Sequence, residues 1–314
     1  EADVLAEVAW VLVIGGFAVL AATMGVLALA LRRGRRPVPS QWWIVGGAVV
    51  PAALLVALAV YSQVRTAGLD APPPPGAVVV AVTGRSWWWH VQYQAGADAV
   101  VTANELRLPA GRPVHLALMS DDVIHSFWVP ALGGKMDLVP GRINRLVVTP
   151  HTPGTYRGAC AEFCGEQHAK MALHVVVLPP AEFDRWLASQ AEPAGPPRSG
   201  AARRGQQVFA DQGCAQCHTV RGHTAGSDAG PDLTHVAGRL HLGAGTVRND
   251  GRALADWIVR VQQLKPGARM PSAHHLPAGD LAALAAYLAE REWARPTTFP
   301  ARPANCRRGA RRGA

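Results

Sequence analysis

The segment Cys160-Ala161-Glu162-Phe163-Cys164-Gly165-Glu166-Gln167-His168-Ala169-Lys170-Met171 places two thiols, an imidazole and a thioether within twelve residues. These are soft or borderline ligands, suited to copper more than to magnesium or calcium. A mononuclear blue-copper loop needs one Cys, one His and a weak Met, with a second His from an earlier strand. Here there is an extra Cys, and two thiolates on one loop, each able to bridge, can hold two copper ions close together. The second imidazole must come from elsewhere. His125, in Asp121-Asp122-Val123-Ile124-His125-Ser126-Phe127-Trp128, lies 35 residues upstream at the end of a strand-like run. Two plainer readings stand beside this one: Cys160 and Cys164 as a disulfide in an oxidising compartment, and His125 as an ordinary histidine.

A second cluster, Cys214-Ala215-Gln216-Cys217-His218, is C-x-x-C-H, the attachment site of c-type haem. The thiols add to the haem vinyls and the adjacent His is placed under the iron. A bare C-x-x-C could also be a redox dithiol or half a zinc site. Met/His ligation raises the potential of a haem carrier, and Met270, in Lys265-Pro266-Gly267-Ala268-Arg269-Met270-Pro271, is the only Met after residue 200. His223, His235, His241, His274 and His275 compete with it for the sixth position. The fifth cysteine, Cys306, sits in an arginine-rich tail away from both clusters and is given no role. An odd number of cysteines in two close pairs and a straggler points to cofactor chemistry over a disulfide framework.

Three kinds of element must carry these sites. Val8–Leu31 and Trp42–Ser62 run 24 and 21 residues without a charge, and a bilayer core needs ~20 helical residues. Between them Arg32, Arg33, Arg35 and Arg36 mark a cytoplasmic loop by the positive-inside rule. A signal-peptide apolar core is the alternative for the first run, but that core needs only ~7–15 residues. Residues 1–70 therefore read as a transmembrane hairpin. Ala71-Pro72-Pro73-Pro74-Pro75-Gly76 is a stiff spacer.

Beyond it, short β-branched runs at Val78–Val82, Val114–Met119, Arg145–Thr149 and His174–Leu178, separated by Gly and Pro, predict an all-β sandwich or barrel. Ala181–Gln190 predicts a helix that closes this unit, residues 76–190. Glu192–Gly200 carries three prolines and two glycines and reads as a linker. Helical periodicity at Arg203–Asp211, Ala253–Gln263 and Asp280–Arg291 then predicts a small all-α domain over 200–293, followed by a basic disordered tail, 294–314.

Taken together, the Cys160–Met171 pattern with His125-Ser126-Phe127-Trp128-Val129-Pro130, Pro140-Gly141-Arg142-x-Asn144 and Gly84-Arg85-Ser86-Trp87-Trp88-Trp89 resembles subunit II of the haem-copper cytochrome c oxidases over residues 1–190. The resemblance implies a cupredoxin Greek-key sandwich with a dinuclear copper centre (CuA) held by His125, Cys160, Cys164, His168, Met171 and the backbone carbonyl of Glu162. It further implies that the Glu162 carboxylate reaches a magnesium ion at the interface with the catalytic subunit, and that Trp87 is the ring through which electrons enter. Residues Gly205-Gln206-Gln207-Val208-Phe209, the C-x-x-C-H run and Gly230-Pro231-Asp232-Leu233 resemble class I cytochrome c, which implies haem covalently held by Cys214 and Cys217, with His218 and Met270 as axial ligands. The fusion resembles subunit II of the bacterial caa-type oxidases. One departure stands out: the family's carboxylate near the second span is missing, since no Asp or Glu lies between Glu7 and Asp70.

The formal charge of +9 could indicate nucleic acid, yet the arginines are scattered and no groove-reading motif accompanies them. No Ser-His-Asp arrangement or P-loop stands out. The expected role is electron entry into a proton-pumping terminal oxidase, from cytochrome c or a bc-type complex through haem c and CuA to catalytic subunit I, with subunit III also present. The expected place is the bacterial inner membrane, with both metal domains outside. A CuA-bearing subunit of another membrane reductase and a copper-delivery protein are the alternatives.

Overall fold

The computed structural model describes residues 2–33, 39–67, 75–94, 99–224, 226–250 and 252–292. Most of the arginine loop, Pro72–Pro74 of the spacer and the tail with Cys306 lie outside the described residues. Helix α1 (Ala2–Arg33) and the second run, α2 (Ser40–Ile44), a π-helical turn at Val45–Val49 and α3 (Val50–Thr66), are long and apolar enough to cross a membrane. Their apolar side chains point outward, Phe17 at 68% and Trp43 at 69% exposure, a surface suited to a nonpolar environment. At one end of the hairpin Tyr61 Oη donates to Glu7 Oε1 at 2.9 Å and Arg65 pairs with the same carboxylate.

The β-domain contains two five-stranded sheets. One runs β3 (Val100–Ala103), β2 (Trp88–Tyr93), β1 (Val78–Arg85), β5 (Val114–Ser120), β8 (Asn144–Val148); the other runs β4 (Glu105–Pro109), β10 (Ala172–Leu178), β9 (Gly154–Cys160), β6 (His125–Trp128), β7 (Met136–Leu138). β1 pairs with β5 in parallel and β4 with β10 in parallel, so the chain repeatedly crosses between sheets, as a Greek-key cupredoxin sandwich requires. The alternation is plain in β5, where Val114, Leu116 and Leu118 are buried while His115, Ala117 and Met119 are only partly covered. These residues pack with Trp89, Val91, Phe127, Val175 and Val177 into one core, which α4 (Pro180–Ala191) extends with Phe183 and Trp186.

The C-terminal helical domain packs α5 (Gly200–Asp211) against α7 (Ala278–Ala289), with α6 (Ala253–Leu264) closing the group. Gly205 makes the first contact possible, since a Cβ there would lie 2.0 Å from the Ala283 carbonyl oxygen. The domain is not purely helical: β11 (His241–Leu242) and β12 (Val247–Arg248) form a small hairpin, because Gly243, Ala244 and Gly245 all take positive φ and turn the chain back. The segment read as a linker is pinned. Arg221 reaches the carbonyls of Gln190 and Ala191, Ala194 N donates to Arg221 O, Arg291 Nη1 donates to Gly195 O, and Glu290 accepts from the amides of Arg198 and Ser199.

Candidate functional site

The β-sandwich brings the first ligand cluster together at one end. His125 opens β6, Cys160 ends the neighbouring β9, and the loop between β9 and β10 carries Cys164, His168 and Met171. Cys160 Sγ lies 3.7 Å from Cys164 Sγ, 3.9 Å from His125 Nδ1 and 3.2 Å from the Glu162 carbonyl oxygen. Cys164 Sγ lies 3.6 Å from His168 Nδ1 and 3.9 Å from Met171 Sδ. Among the described residues, the ligand atoms of His125, Cys160 and Cys164 form a buried cluster within 4.8 Å of one another.

Each sulfur thus has its own imidazole, and each flank has one weak donor: the Glu162 carbonyl beside Cys160, the Met171 thioether beside Cys164. The two thiols divide one proton unequally. The hydrogen bond from Cys164 pushes Cys160 down to about 3, and the adjacent Cys160 sulfur pushes Cys164 up. Two thiolates this close need cationic charge between them, so the donor set fits a pair of soft cations. Burial pushes His125 down, but the Cys160 sulfur and the Asp122 carboxylate outweigh it and hold its pKa raised.

Asp122 was not singled out by sequence. It accepts from His125 Nε2 at 2.8 Å and so leaves Nδ1 to face the sulfurs, the arrangement by which outer carboxylates orient metal-binding histidines. Glycine does similar work in β1: a Cβ at Gly84 would lie 2.6 Å from the His125 ring. Trp87, partly buried, lies under the ligand loop with Nε1 donating to Cys164 O at 2.8 Å. The Glu162 carboxylate, about half exposed, lies 3.3 Å from Lys135 Nζ, which also pairs with Asp137 at 2.9 Å. A magnesium ion at Glu162 would have to displace that ammonium.

In the second domain Cys214 is half-buried, Cys217 exposed, and both thiols are free. His218 donates through Nδ1 to the Pro231 carbonyl at 2.8 Å, which fixes the ring and leaves Nε2 for a ligand. Gly230 allows this approach, since a Cβ there would meet His218 Cε1 at 2.7 Å. Burial pushes the His218 pKa down, favouring the neutral, ligating imidazole. Met270 is half-buried at the edge of the core, with its carbonyl held by Gln262 Nε2 at 2.7 Å. The competing histidines are mostly engaged: His223 with Tyr287, His235 with the Glu192 carbonyl, His275 with Gln212, and His241 in a stack with His174. Around this site Cys214, Ala215, Leu233, Trp257, Met270 and Leu281 remain only partly buried against the core. Side chains of this kind suit contact with an apolar group.

The profile described as cytochrome C oxidase subunit II, periplasmic domain, matches residues 95–178, and that described as cytochrome c matches residues 202–292. Similar relatives include a cytochrome c oxidase subunit 2 of Alkalihalophilus pseudofirmus, 38% identical over 197 residues, covering 63% of this chain and 57% of that protein. Another, from Bacillus sp. strain PS3, is 31% identical over 200 residues, covering 60% and 56%. The matches thus span little more than half the length of these relatives. Among solved structures, the periplasmic domain of subunit II of cytochrome oxidase from Bradyrhizobium japonicum aligns with a TM-score of 0.34 and 27% identity, over 37% of this chain and 95% of that one. The convergent thiols and the haem-attachment motif lie within the two matched stretches, and the chain is similar to subunit II of cytochrome c oxidase over the first and to cytochrome c over the second.

Proposed function

We propose that the chain is the electron-entry subunit of a proton-pumping terminal cytochrome c oxidase. It accepts electrons from an external cytochrome c or bc-type complex at its cytochrome domain, passes them to its copper domain, and delivers them to catalytic subunit I, where oxygen is reduced to water. The observation that carries this reading is the paired donor set, in which two cysteine sulfurs 3.7 Å apart each face a histidine Nδ1. His125, Cys160, Cys164, His168, Met171 and the Glu162 carbonyl hold the two copper ions; Cys214 and Cys217 attach the haem, with His218 and Met270 as its axial ligands. Bound copper and bound haem each supply one-electron redox chemistry.

The residues around the sites keep them in one geometry. Asp122 fixes the His125 tautomer and Pro231 that of His218, while the buried sulfurs exclude water from the cluster. Trp87 is the entry ring, a role supported by its hydrogen bond to the Cys164 carbonyl. The apolar hairpin anchors the chain in the bacterial inner membrane with both metal domains outside, against subunits I and III, and Glu162 contributes to a magnesium site on the subunit I face.

A copper-delivery protein would have no task for a covalent haem, and a subunit of another membrane reductase would need an acceptor other than subunit I. Metal analysis and electron paramagnetic resonance on the intact detergent-solubilised chain test the proposal. About two coppers per haem iron with the signal of one electron shared across thiolate bridges is expected. One copper, or none with a Cys160–Cys164 disulfide, would overturn it.

A further inference from the structure

The cytochrome domain meets the copper domain through two of its loops. One is the hairpin turn 243–245. Ala172 N, next to Met171, donates to Ala244 O at 3.0 Å, and Gly245, at φ +80°, comes so near that a Cβ would lie 2.9 Å from the Ala172 Cβ. The other is the segment Leu264–Met270, which leads into the Met270 position. Lys265 Nζ donates to Trp87 O at 2.7 Å, to Lys170 O at 2.9 Å and to Gly243 O at 3.1 Å. Lys170 Nζ answers by donating to Leu264 O at 2.7 Å. Gly267, at φ +77°, lies against the Glu166 carboxylate, where a Cβ would be 2.5 Å from Oε2. Arg269 Nη2 stands 3.7 Å from Asp122, the carboxylate that holds His125.

Lys265 is only 3% exposed, and among the described residues no carboxylate pairs with it. Burial of an ammonium is costly unless its donors are used. Three backbone carbonyls take the three N–H groups, two of them from the other domain. Burial still pushes the pKa down to about 7. General adhesion would be served by an apolar side chain without this penalty; a lysine seated on carbonyls demands one placement of the loop.

We infer that Lys265 and Lys170 form a reciprocal clasp that fastens the loop leading to Met270 onto Trp87 and the Cys164–Met171 loop. Both are positioning residues that hold the two redox domains at one distance for electron transfer. The inference deepens the proposed function, resting on it for what the clasp serves; the clasp itself is a contact within the chain.

The test uses the full chain in detergent with Lys265→Met and, separately, Lys170→Met, which keep side-chain length and remove the donors. Lys170 is exposed, so its variant folds even where the buried substitution does not. Expected is amide hydrogen exchange about tenfold faster at residues 84–88 and 264–270, as the loss of hydrogen bonds from a charged donor implies. In the loaded protein, electron transfer between the domains after rapid reduction slows by a similar factor, while the absorption of the haem and the resonance of the copper stay unchanged. Exchange at the parent rate in both variants overturns the clasp. Faster exchange with unchanged transfer overturns the positioning role. A parent chain that takes up no copper fails the proposed function, and the exchange experiment, which needs neither group, still decides the clasp.

Discussion

The two ligand-bearing domains solve the same problem in opposite ways. In the copper domain the donors project from a finished scaffold: Trp89, Leu106, Leu116, Leu118 and Phe127 are all but fully buried, and the sulfurs of Cys160 and Cys164 are themselves part of that core. The cytochrome domain has a smaller set of buried residues, and the side chains nearest its attachment motif are left partly open. A small cation can be added to a sandwich that already stands, whereas a haem would supply apolar surface against the side chains that the smaller core leaves partly open. The difference teaches where loss of a group is felt: as lost redox chemistry in one domain, and as lost structure in the other.

The largest effect expected from this contrast is on the cytochrome domain. Replacing both attachment cysteines, Cys214→Ala with Cys217→Ala, removes the group and costs the domain stability on the order of 5 kcal/mol, its whole margin. Circular dichroism then shows loss of the helices of residues 200–289, while near-ultraviolet signals from Trp89 and Trp186 persist. Native helix content in that variant would erase the contrast. Intermediate in size is Asp122→Asn, which leaves the sandwich folded and weakens copper about tenfold to a hundredfold, the usual consequence of losing an outer carboxylate. Competition titration against a copper chelator measures it, and unchanged affinity would mean that the β-scaffold alone orients His125.

The smallest effect concerns the seam between the domains, where His174 of β10 stacks on His241 of β11 with ring centroids 4.1 Å apart and planes within 4°. Burial pushes both pKa values below the usual 6.5, with Arg157 adding to the shift in each and Glu105 opposing it; His241 also lowers His174, and Arg248 lowers His241. The separated domains therefore bind more protons than the docked ones just below pH 6.5. Docking is at full strength above that pH and weakens as pH falls through it. Hydrogen exchange at 172–175 and 241–248, followed from pH 7.5 to 5.5, should quicken toward acid, and a flat profile would show that the stack carries no part of the docking.

Local chemistry was legible in sequence because its spacing is local. Cys160, Cys164, His168 and Met171 fall in one loop, and Cys214, Cys217 and His218 in one turn, so their proximity needed no knowledge of the fold. The β-branched runs marked β1, β5, β8 and β10, and the helical periodicities marked α5, α6 and α7. What could not be read was what lies far apart in the chain. Glu105 and Arg107 in β4 look like outward-facing charges. They are buried because the second domain covers them: Glu105 accepts from Leu240 N at 2.8 Å and Arg107 donates to Gly238 O at 3.2 Å. Lys265 hid in a loop noted only for its methionine, and Asp122 stood three residues before His125 with no sign that its carboxylate would turn back. The π-turn in the second apolar run left no periodic trace, since all of its residues are apolar or Gly.

The pinned strap between the domains changes what kind of object the chain is. Composition alone makes residues 192–200 a flexible tether, which would confine two wandering domains to a shared volume. With Ala194 N donating to the Arg221 carbonyl, the Gly195 carbonyl held by Arg291 and the amides of Arg198 and Ser199 held by Glu290, the strap instead belongs to the body of the cytochrome domain. An engineer wishing to swap in a different cytochrome would therefore have to carry the strap along with it, and would find the natural cut at the end of α4, not in the proline-rich stretch that looks made for cutting.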